Sequence, residues 1–235
     1  MKGFRKALTF RYDDGVTQDG RLVSLLNHYG MKATFNLNSG LLGREGVLVR
    51  NGVETRHDKI APGRVREIYR GHEIAVHTLT HPLLPTLPDE EVIRQTEQDR
   101  LALSRLAGYE VRGMAYPGGG ENHDARVARL VREKTGVSYA RTVISSYSFD
   151  PEPDLFTLRP TVYHLEFERV GDLIGRFLSA EPETPRIFYI WGHSYEFDAW
   201  DFWDLFEGWL KLLSGRDDIF YGTNAEVLLS EEWKG

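Results

Sequence analysis

Two adjacent aspartates, Asp13 and Asp14, precede Gly15, and two histidines, His77 and His81, stand four residues apart in the run HTLTHP. A carboxylate can act in catalysis or ligate a metal, and imidazoles at this spacing can share one metal ion. Two imidazoles and one carboxylate leave coordination positions open for water, as a catalytic metal site requires. Tyr116, Pro117 and three glycines starting at Gly118, together with Arg141 and the His193 of IWGHS, complete the chemically able set. Taken singly, each has a plainer reading. Asp13-Asp14-Gly15 makes a good turn, the histidine pair could be a satisfied surface pair, and His193 could be a loop residue. Those readings explain the chemical complementarity of the set less well. The chain has no cysteine, which excludes thiolate metal sites, iron–sulfur clusters, disulfide scaffolds and a cysteine nucleophile. Any metal must be held by imidazole and carboxylate.

Positioning these residues falls to short apolar or β-branched runs that alternate with longer amphipathic segments, the pattern of βα units around a parallel sheet. Strands are predicted at 7–10, 33–37, 73–76, 113–116, 138–143, 187–191 and 219–221, with a further short strand possible at 155–158. Helices are predicted around Leu22 to Leu26, ending at Gly30; from Pro88, at the first helical position, to Gly108; around Val127 to Val131; around Val170 to Phe177; over 202–213; and after a Thr223/Glu226 capping box. The stripe of the Pro88 helix is broken by Asp99, between Val92 and Leu103. VLVRNGVE reads as a hairpin turning at Asn51-Gly52, an insertion near 41–60 rather than a second domain. The expectation is one domain over 1–235 with about seven strands and six helices. Asp13, Asp14, Asn36, Asn38, His77, His81, Tyr116 and His193 all fall at or just after C-terminal strand ends, and Arg141 lies within a strand. In a parallel barrel those ends converge on one face.

Composition narrows the partners. With 29 Lys plus Arg against 35 Asp plus Glu, the net charge is -6, the wrong balance for a protein built on phosphate attraction, so no nucleic acid is expected. No apolar run approaches the roughly 20 residues of a membrane span. The basic start MKGFRK reaches further charge before a signal-peptide core accumulates. A cytoplasmic location without membrane insertion is the expectation. Trp191, Trp200, Trp203 and Trp209 cluster; the last three fit helix packing, whereas Trp191, two residues before His193, could present an apolar face to a bound molecule.

The runs LTFRYDDG, HEIAVHTLTHP, MAYPGGG and IWGHS, in this order, resemble the polysaccharide deacetylase family (the NodB homology domain, carbohydrate esterase family 4). The resemblance covers nearly the whole chain, and TFNLNSG looks closest to the NodB-like domains grouped with gellan lyase. It implies an α/β fold, a distorted (β/α)7 barrel that is NodB-like, and removal of acetyl groups from an N- or O-acetylated saccharide. It also implies a divalent metal, zinc first, on Asp14, His77 and His81, with Asp13 as general base and His193 as general acid. Tyr116, Pro117, Gly118 and Trp191 would meet the substrate, with the Gly118 N–H offered to the oxyanion. The family's R-x-P-Y-G motif departs here to Ala115-Tyr116-Pro117-Gly118-Gly119, so the arginine that pairs with the base is missing. Arg141 is the expected substitute, ahead of Arg112. The motif whose aspartate and tryptophan tether the catalytic histidine has no clear match; Asp150 and Asp154 lie in the interval and neither is assigned. His28, His57, His72, His123 and His164 need no function in this reading. The altered motifs leave two alternatives: a catalytically silent NodB-like carbohydrate-binding domain, or a deacylase of a non-sugar amide.

Overall fold

Strand β1 (Lys6–Asp13) is buried at every position, and period-two alternation sends its side chains to two different interiors. Leu8, Phe10 and Tyr12 enter the large core beneath the helices. Ala7 joins Ile187, Tyr189 and Trp191 in a smaller cluster on the other face, the face that also receives Arg11 and Asp13. The computed structural model describes residues 3–230 and Trp233.

After β1 the chain runs through α1 (Asp19–His28), β2 (Ala33–Leu37), the hairpin β3 (Val47–Arg50) and β4 (Val53–Arg56), α2 (Val65–Ile68) and β5 (Glu73–Val76). There follow α3 (Asp89–Ala107), β6 (Gly113–Ala115), α4 (Ala125–Lys134), β7 (Tyr139–Arg141), β8 (Val162–Tyr163) and α5 (Phe167–Ser179). The last elements are β9 (Arg186–His193), α6 (Glu196–Trp200), α7 (Trp203–Leu213), β10 (Ile219–Tyr221) and α8 (Asn224–Leu228). The main sheet is ordered β7-β6-β5-β2-β1-β9-β8, with β10 beside the first half of β1. All its pairings are parallel. This is the expected fold: a parallel, curved half-barrel with helices outside, whose C-terminal strand ends gather on one side.

The differences from expectation are local. Among the described residues there are eight strands in the main sheet, two in the hairpin and eight α-helices, more than the seven and six predicted. The additions β8, α2 and α6 span two to five residues, too few to show periodicity. The segment 155–158 makes only an isolated bridge, Leu158 to Arg141; the short strand is β8, beyond Pro160, a residue that cannot donate to a ladder. Pro88 caps α3 from outside instead of occupying its first turn. β1 and β9 run on through Asp13 and His193, because the register continues to the site. The Asn51-Gly52 hairpin and the Thr223/Glu226 capping box form as predicted. Trp203 and Trp209 are core residues.

Candidate active site

Register places the first carboxylate. Asp13 of β1 pairs with Asn36 of β2 on one side and His193 of β9 on the other. It is 2% exposed. Its Oδ1 accepts a 2.6 Å hydrogen bond from Asn36 Nδ2, and its Oδ2 accepts one from Arg141 Nη2. Arg141 itself is fully buried on β7. Arg11, also buried, donates through Nε to Asn36 Oδ1 at 2.9 Å and fixes the amide orientation. Burial alone would raise the Asp13 carboxyl. Arg141, then His77, His193 and Arg11, outweigh it and hold the group at about 2. Asp13 is therefore a carboxylate at neutral pH, ready to accept a proton.

Turns place the second group. Asp14, Thr78 and His81 adopt left-handed backbone, with φ of +84°, +67° and +61°. Non-glycine residues in that region persist where surrounding contacts over-determine them. One ligand atom each from Asp14, His77 and His81 lies within 4.8 Å of the others. His77 Nδ1 is 2.9 Å from the Ala115 carbonyl, which can only accept, so the ring proton sits there and Nε2 is left bare. Burial pushes His77 down to about 3, keeping it neutral. Asp14 is held well below the usual carboxylate range: burial opposes this, and His57 and Lys59 overcome it. One carboxylate and two imidazoles, one of them neutral with its remote nitrogen already bonded, suit a divalent ion such as zinc.

Helix α3 supports the His77–His81 turn from below. The Asp99 that interrupts its apolar stripe is fully buried, accepting from Ser39 N at 2.7 Å and His77 N at 3.2 Å. Gln95 takes up Leu79 N through its carbonyl and Thr80 N through its side chain. The break in the stripe was a signal of this role.

The third group is His193. Its backbone N donates to Glu196 Oε2 at 3.0 Å, and its Nδ1 lies 3.1 Å from the same oxygen. Glu196 also contacts His164 Nε2 at 2.7 Å and accepts from the Tyr163 hydroxyl. Burial would lower His193, but Glu196 outweighs it, followed by Asp14 and Asp13, and the imidazole is pushed up to about 9. Neither Asp150 nor Asp154 reaches it: they pair with Arg186 and Arg132. Glu196 was missed because β9 was expected to stop before the site, although its i+3 spacing from His193 was visible. His164 and His57, set aside in the sequence, both touch this constellation.

A cavity of about 710 Å³ opens over Asp13, Asp14, His77, His81 and His193, within the usual range for small-ligand sites. Gly118 lines it at φ +86°. Tyr116 lines it too, but its hydroxyl is turned away to the Phe156 carbonyl at 2.8 Å. Pro117 is not part of the lining. Trp191 borders the cavity, yet Arg141 lies 4.1 Å over its ring and Tyr163 stacks on it at 4.6 Å. Its ring serves as a platform for Arg141, which leaves little face for a sugar.

Residues 2–140 match the family model described as polysaccharide deacetylase. Among solved structures, the chain is similar to a family 4 carbohydrate esterase from Streptomyces lividans in complex with acetate: 17% identity, 94% of this chain and 92% of that one, TM-score 0.58. It is also similar to a Bacillus anthracis protein, a mutant of the CE4 family pseudoenzyme BA3943 with restored enzymatic activity, at 19% identity over 97% and 68% and TM-score 0.55. A third is BC0361, a polysaccharide deacetylase from Bacillus cereus, at 16% identity and TM-score 0.51. There the match covers 63% of this chain and only 44% of that protein, so this chain corresponds to about half of it. At such identities these likenesses speak for the fold. No curated protein matches. No described helix is long and apolar enough to cross a membrane.

Proposed function

Because the chain belongs to the polysaccharide deacetylase family, we propose that it is a metal-dependent hydrolase that removes acetyl groups from an N- or O-acetylated saccharide. The observation that carries the reading is the convergence, over one cavity, of an arginine-paired Asp13, the Asp14–His77–His81 donor set and a carboxylate-paired His193. From the TFNLNSG wording we further infer a likeness to the NodB domains grouped with gellan lyase.

A divalent cation on Asp14, His77 and His81, zinc by the chemistry of the donors, would lower the pKa of water and polarise the acetyl carbonyl. Asp13, ionised and fixed by Arg141 and Asn36, accepts the proton of the attacking water. Arg141 stands here for the missing motif arginine. The Gly118 N–H is available to the developing oxyanion, a donor that needs no side chain. His193, protonated at neutral pH, gives its proton to the departing sugar nitrogen or oxygen. An amine leaves poorly unless protonated, so an acid opposite the base is a chemical requirement.

The test is acetate release from a panel of acetylated sugars before chelation, after chelation and after return of zinc. Turnover should vanish on chelation and return with zinc, and Asp13→Asn should lose about 10²–10⁴-fold in kcat. Turnover indifferent to chelation, or unchanged in Asp13→Asn, would sink the mechanism. No acetate release from any sugar, with zinc bound, would favour a silent carbohydrate-binding domain.

A further inference from the structure

The chain leaving the β3–β4 hairpin returns directly to the site. Lys59 bridges antiparallel to Val16, while Thr17 N donates to Asp58 O at 2.8 Å and Ile60 N to Gly15 O at 2.9 Å. In this extended segment His57 and Lys59 are two residues apart and project to the same side. Both reach Asp14. Lys59 Nζ donates to the Asp14 carbonyl at 2.7 Å and lies 3.4 Å from Oδ1. His57 Nε2 is 3.2 Å from Oδ2. The His57 ring packs edge-on against Tyr195 at 5.0 Å, and Tyr195 in turn packs against His193.

The two oxygens of Asp14 are thereby divided. Oδ2 is engaged by His57, whereas Oδ1 faces His81 Nε2 at 3.7 Å. His57 stands outside the three-residue cluster of donor atoms, so it is placed to hold a ligand and not to be one. The need for such a hold is physical. Asp14 sits on left-handed backbone, and its Oδ1 has a lysine ammonium nearby. That oxygen is 3.4 Å from Lys59 Nζ and 3.7 Å from His81 Nε2, and a hold on Oδ2 keeps the carboxylate from rotating it away from both.

We propose that His57 is a positioning residue for Asp14, which by engaging Oδ2 presents Oδ1 to the cation shared with His77 and His81. The hairpin insertion is then a working part of the metal site. The inference rests on the reading of those three residues as the metal set. Partners of metal ligands typically govern affinity by about 10- to 100-fold.

The experiment measures zinc affinity by competition with a chromophoric chelator, and the visible spectrum of the cobalt(II) form, in wild type, His57→Phe and His57→Gln. Phenylalanine keeps the packing on Tyr195 and removes the donor; glutamine restores an N–H. His57→Phe should lose about 10- to 100-fold in zinc affinity and alter the cobalt spectrum, His57→Gln should recover most of it, and the metal-free thermal midpoints should agree. Zinc binding by His57→Phe within twofold of wild type overturns the inference alone. Equal losses in both variants, accompanied by lowered metal-free midpoints, indicate a packing role and also overturn it. A wild-type protein that takes up no zinc overturns the metal reading, and the inference with it.

Discussion

Asp13 and Asp14 share a peptide bond, yet they belong to halves of the site built in different ways. Asp13 closes β1, in register with Asn36 and His193, and its hydrogen-bond partners are strand-borne side chains, Asn36 on the adjacent β2 and Arg141 on the distant β7. Asp14, one residue on, has left the sheet at φ +84° and is gripped by His57 and Lys59 from a connecting segment. Its companion His81 is likewise on a left-handed turn. A strand position inside a parallel sheet cannot slip by one residue without sending every side chain to the opposite face. The strand-borne half therefore inherits its geometry from the fold. The turn-borne half needs local restraints, supplied by α3 and by the segment after the hairpin. Damage to the first half should appear in folding stability, and damage to the second in metal affinity.

The largest effect expected on that basis is at Arg141. Arg141→Leu leaves the Asp13 carboxylate buried without its main counter-charge, and should cost about 3–5 kcal/mol in urea unfolding of the metal-free protein. A loss below 1 kcal/mol would erase the distinction between the halves. An intermediate effect concerns pH. Glu196 raises His193 to about 9, above its unfolded value near 6.5. The stabilisation from this shift is complete below about pH 6.5 and is lost as pH rises through about 9. In Glu196→Gln the alkaline limb of kcat/KM should move from about pH 9 toward 6.5, and the stability gap to wild type should narrow over the same interval. An unmoved limb would remove Glu196 from the acid's support. The smallest effect is at Thr78, which sits at φ +67° and accepts from His81 N at 3.1 Å. Thr78→Gly relieves the backbone and deletes the bond, so unfolding stability should stay within about 1 kcal/mol of wild type. Zinc affinity should nevertheless fall, by less than tenfold. A folding loss of several kcal/mol there would mean that the turn carries the fold as well as the metal ligand.

Much of the site was legible because its donors come in local groups. Asp13-Asp14-Gly15 and His77-x-x-x-His81 are contiguous, and each follows a strand whose apolar run can be read directly. Even the buried support of the second group left a trace, as Asp99 in an otherwise apolar stripe. The supports of Asp14 and His193 left less. His57 sits in an insertion and His164 near a two-residue strand, and neither neighbourhood has a periodicity that points inward. Tyr116 shows the converse failure: its place after β6 was right, but which way a hydroxyl turns depends on the Phe156 carbonyl, 40 residues away.

The sequence by itself determined the alternation of strands and helices, the polar residues at the C-terminal strand ends, and the absence of thiolate chemistry, since these depend on residue type and near-neighbour spacing. The tertiary structure settled that Arg141, the first of two candidates in the sequence, meets Asp13, and it alone showed which carboxylate meets His193. Arg141 and Asp13 are 128 residues apart, on strands separated in the sheet by β2, β5 and β6. Their meeting depends on the curvature that carries opposite strands around to face a shared interior. No local pattern encodes that curvature, because it results from the packing of the whole sheet against its helices.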